Sequence, residues 1–288
     1  MTTCKKSDIL AYLKKDLKRI VNLIHHQNKH TSNEEAQKTI ISLEMCSNRT
    51  AVVDGNIKKT RACHLPFCPI CHYMKSIKEY AITFQAIDEL RKNNQTNLQI
   101  AFVSLSIPRK SIYEIENLSK SEQDLNIKKY KTELDKAFKI FLKTKIAKPN
   151  GNLVSFNDSL LGMSCYYHVS LDKTIGVHLH VILILKASFK SDKYISQDMV
   201  RKLWNKSNND YDYHSHIKVI DFSKKELLNM TWYGMKKLDI DHIISNNINV
   251  IELNREIKHK RFSSHSGIIR KSKKLAKEIY KSNKLNQL

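Results

Sequence analysis

The chain has 288 residues, 41% of them hydrophobic, and carries 50 Lys and Arg against 28 Asp and Glu, a formal charge of +22. That length and apolar content suffice for one large domain or two small ones. The longest apolar run is VILIL, and the opening MTTCKKSDILAYLKK holds no apolar block of a secretory leader, so the expectation is a cytoplasmic protein with no membrane partner. The charge excess points to a polyanion, nucleic acid above all. An AT-rich coding bias enriches Lys, Asn and Ile but does not itself remove acids.

Apolar spacing at Ile9, Leu10, Leu13, Leu17, Ile20, Val21 and Ile24 predicts a helix over 7–27, with a second over 33–45. AVVDGNIKKTR reads as a short hairpin turning at Asp54-Gly55. CHLPFCPIC then forms a turn-rich knuckle that opens into a helix over about 72–93. Its cysteines and Cys46 have the spacing Cys46-x16-Cys63-x4-Cys68-x2-Cys71. In a cytosolic chain, clustered cysteines suggest metal before disulfide. Cys-x2-Cys lets two thiolates reach one ion from a single turn, and Pro66 and Pro69 stiffen that turn. A structural Zn2+ on Cys46, Cys63, Cys68 and Cys71 is expected, with His64 or His72 as substitutes should Cys46 lie too far. The competing reading is a set of reduced, buried thiols. Cys4 and Cys165 read as ordinary residues.

LQIAFVSLSIP predicts a strand over 98–108, with Ser104 and Ser106 on one face and Val103, Leu105 and Ile107 on the other. A helix over 119–146 is broken by AKPNGN, and strands at 160–171 and 177–185 flank the turn DKTIG. A helix at 196–207, a strand at 214–221, a helix at 223–238 and a basic helical end complete the pattern, with no internal repeat. The expected fold is α/β (α+β): an antiparallel central sheet carrying a His-x-His strand, flanked by helices, with a small Cys-rich zinc knuckle. The expected division is a helical region over 1–45, a catalytic domain over 46–255 including the knuckle at 46–72, and a basic segment over 256–288.

GVHLHVILIL (176–185) is a hydrophobic strand with two imidazoles at its start. Residues two apart share a face, so His178 and His180 project together, either to pack at a sheet edge or to bind a metal. With the turn centred near Thr174, Ser170 faces His178 and His168 faces His180, which brings three histidines together. Three protein ligands with open positions are what a metal-activated reaction needs. A second pair, His214 and His216 in HSH, reads as structural or DNA-facing, with ligation the minor alternative.

Basic charge is concentrated late: residues 255–284 hold eleven Lys and Arg and two Glu. Arg270, Lys271, Lys273 and Lys274 are the candidate phosphate contacts, against the alternative of a solvated tail. Upstream, KKELLNMTWYGMKKLDI offers Tyr233 with Lys236 and Lys237 one helical turn on. A nearby cation favours phenolate and binds phosphate, although a tyrosine on a helix is usually structural.

The ordered set CHLPFCPIC, AFVSLSIP, VHLHVIL, WYGMKK and KRFSSHSGIIRKSKKL resembles the rolling-circle replication initiators (Rep proteins) of small bacterial plasmids, members of the HUH endonucleases. The resemblance covers about residues 46–275. It implies that His178 and His180 hold a divalent metal, Mn2+ or Mg2+, with His168 as a third ligand where relatives carry an acid. It implies that Tyr233, assisted by Lys236, attacks single-stranded origin DNA and keeps the 5′ phosphate while the 3′-OH primes synthesis. Host helicase and replication machinery are the further partners it implies. Relatives often carry a Glu four residues before the tyrosine; here Asn229 stands there, and Glu226, two turns before Tyr233, is the candidate substitute. The competing functions are an HUH relaxase or mobilisation protein, an HUH transposase, and a non-catalytic zinc-containing DNA-binding regulator.

Overall fold

In the computed structural model the described residues are 6–30, 33–54, 56–60, 62–92, 98–107, 110–111, 127–148, 150–171, 174–186, 194–209, 214–220, 240–257, 263–274 and 278. The chain begins with helices α1 (Lys6–Gln27) and α2 (Glu34–Asn48), then a hairpin of β1 (Thr50–Val53) and β2 (Asn56–Lys59). Asp54, in the expected turn, takes φ 50°, as the first position of a two-residue hairpin turn requires. Helix α3 (Pro69–Lys92) leads to β3 (Gln99–Ser106) and the short β4 (Lys110–Ser111). Next come α4 (Ile127–Lys143), β5 (Ile146–Ala147), β6 (Leu153–Val154), β7 (Leu160–Leu171) and β8 (Thr174–Leu185). Then follow α5 (Gln197–Lys206), β9 (Ser215–Ile220), α6 (Ile240–Ser245), α7 (Val250–Ile257) and β10 (Ser263–Ser266), with 267–274 helical. The helix expected at 223–238, with Tyr233, Lys236, Glu226 and Asn229, lies outside the described residues.

The main sheet runs β10-β7-β8-β3-β9, with β4 also on β8, and every pairing is antiparallel. One face is buried along most of its extent. Val103, Leu105, Leu179, Val181 and Leu183 pack there with Leu134 and Phe141 of α4, Trp204 of α5, and Leu17, Ile20 and Ile24 of α1. The core therefore runs through the boundary expected at residue 45. The N-terminal helices share this core because their apolar stripe has no other surface to bury against. Two contacts reinforce the join: Arg255 of α7 holds Glu35 at 2.6 Å, and the Gln27 amide donates to the Ile248 carbonyl at 2.8 Å.

The opposite face is divided. At one end Ile100, Phe102, Ile182, Ile184 and Tyr166 are covered by Ile87 of α3 and Ile269 of the 267–274 helix. This explains the two halves of GVHLHVILIL. VILIL is continuous because both its faces are covered. The first half alternates because the apolar cover on the second face ends near the row of His180, which stacks on Phe102 at 5.6 Å.

Two expectations are corrected here. Leu171 pairs with Ile175 and His168 with His178, so the hairpin is two residues tighter than a turn centred on Thr174 would make it. Thr174 and Ile175 are β-branched and extend the strand, leaving a two-residue connection of the kind hairpins favour. A shift of two keeps every side chain on its face, so the three histidines still project together. The basic end, expected to be helical, also contains a strand. β10 adds to the sheet edge on β7, and Gly267 (φ 58°) presses on that strand. A Cβ on Gly267 would stand 2.2 Å from the Leu161 carbonyl oxygen, so glycine alone allows the turn into the final helix.

Candidate functional site

Four thiols meet where α2, the chain after β2, and the start of α3 converge. Cys46 Sγ lies 3.5 Å from Cys68 Sγ and 3.7 Å from Cys71 Sγ, and Cys63 Sγ is 3.3 Å from Cys71 Sγ. All four ligand atoms lie within 4.8 Å of one another, and the cysteines are unbridged. Four sulfurs about 2.3 Å from one ion in a tetrahedron stand about 3.8 Å apart, so this is the spacing of a closed metal site. The local fold prepares it. The Cys68 amide donates to the Leu65 carbonyl at 3.2 Å, the His72 amide to the Cys68 carbonyl at 2.9 Å, and His64 takes φ 57°. Contact with Cys46 and burial push the Cys68 thiol far up, because adjacent thiolates repel when no cation balances them. A bound cation reverses that order and ionises the set.

The histidines are arranged differently. His168 lies directly across from His178, and Tyr166 from His180. The ring centroids form a triangle: His168 to His178 5.8 Å, His168 to His180 6.0 Å, His178 to His180 6.3 Å. The rings are near-parallel, and their nitrogens do not form a group as tight as the thiols. Burial, then the neighbouring charges of His168 and His214, lower the His180 pKa to about 3. The imidazole is therefore neutral at physiological pH, which is the form that ligates metal.

The rows of the sheet extend this polar end. His180 pairs with Ser104 on β3, and Ser104 pairs with His216 on β9. Ser106, across from His178, is fixed by its amide donating to the His214 carbonyl at 3.0 Å, and its own carbonyl accepts from the Trp204 indole at 2.8 Å. The expected sharing of a face by Ser104 and Ser106 places both on the histidine side.

Of the four candidate phosphate contacts, Arg270, Lys271 and Lys274 are exposed, whereas Lys273 is 3% exposed. Its amine bonds Glu79 Oε2 at 2.6 Å and His265 Nε2 at 2.9 Å, and His265 Nδ1 meets Ser164 Oγ at 2.9 Å. Lys273 is thus a buried anchor of the final helix and is not placed to meet DNA. Sequence reasoning missed Glu79 and His265. Glu79 meets Lys273 across a long sequence separation, and His265 reaches it from the neighbouring strand β10, which no local pattern announced.

Fold and site define a class: an α/β protein with a central antiparallel sheet, a four-cysteine cluster able to bind metal, and a histidine-rich end on one sheet face. Residues 54–288 match the family model described as "Replication protein", so the chain belongs to that family, the Rep family of rolling-circle replication initiators. It is 25% identical over 252 residues to "Protein rep" of Streptococcus pneumoniae, covering 83% of this chain and 72% of that protein. It is 26% identical over 174 residues to "Protein rep" of Lactiplantibacillus plantarum, covering 58% of this chain and 48% of that protein. No solved structure matches the chain. Cys63, Cys68 and Cys71 fall inside the family match, while Cys46 lies upstream of it.

Proposed function

We propose that this protein starts plasmid rolling-circle replication by nicking one strand of its origin and retaining the cut end on Tyr233. The observation that carries this reading is the triangle of His168, His178 and His180 on one sheet face, in a chain of the Rep family. Three nitrogen donors, one of them held neutral by burial, are a donor set for a divalent ion, and imidazole suits Mn2+ better than Mg2+, which prefers oxygen ligands. Such an ion supplies charge stabilisation to a phosphate oxygen.

The chain's own groups do the rest. The Tyr233 hydroxyl forms an O–P bond to the scissile phosphate and the P–O3′ bond breaks. The phenolic proton ends on the departing 3′ oxygen. Lys236, three residues after Tyr233 in the sequence, supplies a cation that favours the phenolate. The phosphotyrosine conserves the bond for later rejoining, and Glu226 or Asn229 serves the terminating step. The 3′-OH is then extended by the host replication machinery while a host helicase opens the duplex. Zn2+ on Cys46, Cys63, Cys68 and Cys71 has a folding role here and takes no part in cleavage.

The test is incubation with single-stranded origin DNA and Mn2+, a denaturing gel, and peptide mapping of the adduct. A covalent adduct on Tyr233 that is absent from Tyr233→Phe is expected. DNA binding without any adduct would leave a zinc-containing DNA-binding regulator.

A further inference from the structure

The HSH pair on β9 belongs neither to the thiol cluster nor to the histidine triangle. Along this strand Ser215 and Ile217 are buried at 7% and 9% exposure, while His214, His216 and Lys218 are exposed. The alternation puts these three on the histidine face. There His216 follows Ser104 and His180 in one row, and Lys218 follows Phe102 and Ile182 in the next. Strands are spaced about 4.8 Å apart, so two inter-strand spacings, with β3 between, separate His216 from His180 by about 10 Å.

The strip is held rigid from both sides. Its inner edge pairs with β3. On its outer edge the Gln197 side chain stands in for a further strand, donating to the Ser215 carbonyl at 2.7 Å and accepting from the Ile217 amide at 2.8 Å. No Asp or Glu occupies this face in β3, β7, β8, β9 or β10. A rigid row of nitrogen donors without an acid, beginning about 10 Å from the triangle, suits a chain of phosphates.

We propose that His214, His216 and Lys218 form a docking lane for the sugar-phosphate backbone of single-stranded DNA, holding the nucleotides beside the scissile phosphate. The lane rests on the nicking reading for its orientation. About 10 Å corresponds to one to three nucleotides, given a rise of about 3.4 Å or more per nucleotide. The lane positions the strand and makes no bond to the reacting atoms.

The experiment uses full-length His214→Ala/His216→Ala and Lys218→Ala proteins. Thermal unfolding and zinc content serve as folding checks, since all three side chains are exposed. The probes are fluorescent oligothymidylate in EDTA, Mn2+ alone, and single-stranded origin DNA with Mn2+. The double variant should bind oligothymidylate at least about tenfold more weakly, as expected for losing hydrogen bonds to a charged group, with Mn2+ affinity unchanged. Lys218→Ala should lower the salt slope of binding by about 0.7, one phosphate contact. Unchanged oligothymidylate binding overturns the lane. So does reduced Mn2+ affinity in the double variant, which would make the pair metal ligands. If the wild type forms no adduct while the variants lose oligothymidylate binding, the nicking reading falls and the lane stands. If the adduct forms and the double variant binds as the wild type does, the lane falls and the nicking reading stands.

Discussion

The thiol cluster and the histidine triangle are both groups of metal-binding side chains, yet they are built to different plans. The thiols come from separate segments, α2, the chain before α3 and its first turn, and their sulfurs already stand within 4.8 Å of one another. Such a site closes on four protein ligands and ties segments together. The histidines come from one hairpin whose geometry the sheet already fixes, with centroids 5.8 to 6.3 Å apart. Three donors leave coordination positions for a substrate, and losing one of them unties nothing. The first plan suits stability and the second suits chemistry.

The largest expected effect is therefore on folding at the thiols. Cys68→Ser should lose zinc and destabilise the protein on the order of 5 kcal/mol, part of the roughly 10–16 kcal/mol a structural zinc contributes. Elemental analysis with thermal unfolding checks it; a variant that keeps the wild-type Tm would remove the distinction. Next comes His178→Ala. Losing a ligand directly should lower adduct formation by more than about a hundredfold, since even supporting residues of metal ligands are worth about 10–100-fold. Its Tm should hardly move, because His178 is only partly buried. A Tm drop as large as that of Cys68→Ser would mean the triangle is packing.

A smaller effect belongs to the Glu79–Lys273 anchor. Burial opposes ionisation of Glu79, but the His265 ring and the Lys273 charge hold its carboxyl well below the usual range. The folded-state pKa is depressed, so the unfolded chain binds more protons as pH falls towards and below the ordinary carboxyl value of 4.5. The stability from this pair is present above that pH and is lost progressively beneath it. Glu79→Gln strands the Lys273 amine, costing about 3 kcal/mol at neutral pH, and should flatten the acid dependence of Tm. Unfolding from pH 6 to pH 3 measures both.

These residues differ in how far the sequence announces them. The thiols and the histidine strand were legible because Cys-x2-Cys and His-x-His are local, and strand period 2 fixes the shared face whatever the register. The register itself was misjudged by two because the extent of a turn depends on how far the strands extend, which Thr174 and Ile175 decide. β10 was not legible: SSHS has no apolar alternation, and it pairs at an edge through backbone bonds and the polar His265–Ser164 contact. VILIL held a usable signal, since an unalternating run inside an alternating strand reports cover on both faces. The burial of Lys273 had no local mark, and charge counting alone placed it with its neighbours.

The smallest expected effect separates that lysine from those neighbours. Arg270, Lys271 and Lys274 project from the 267–274 helix, whose place on the sheet is fixed by Gly267 and by Ile269 in the second apolar cluster. If all three meet phosphates, neutralising them should lower the salt slope of single-strand binding by about 2, at about 0.7 per contact, with little change in Tm. Lys273→Met should do the reverse. It removes a buried charge from beside Glu79, so it should lower Tm, yet leave the slope near the wild-type value because no phosphate contact is lost. Binding of oligothymidylate across a salt series, with a melting curve for each variant, separates the two roles. A triple variant with the wild-type slope would show that this helix serves as cover for the sheet and not as a DNA contact.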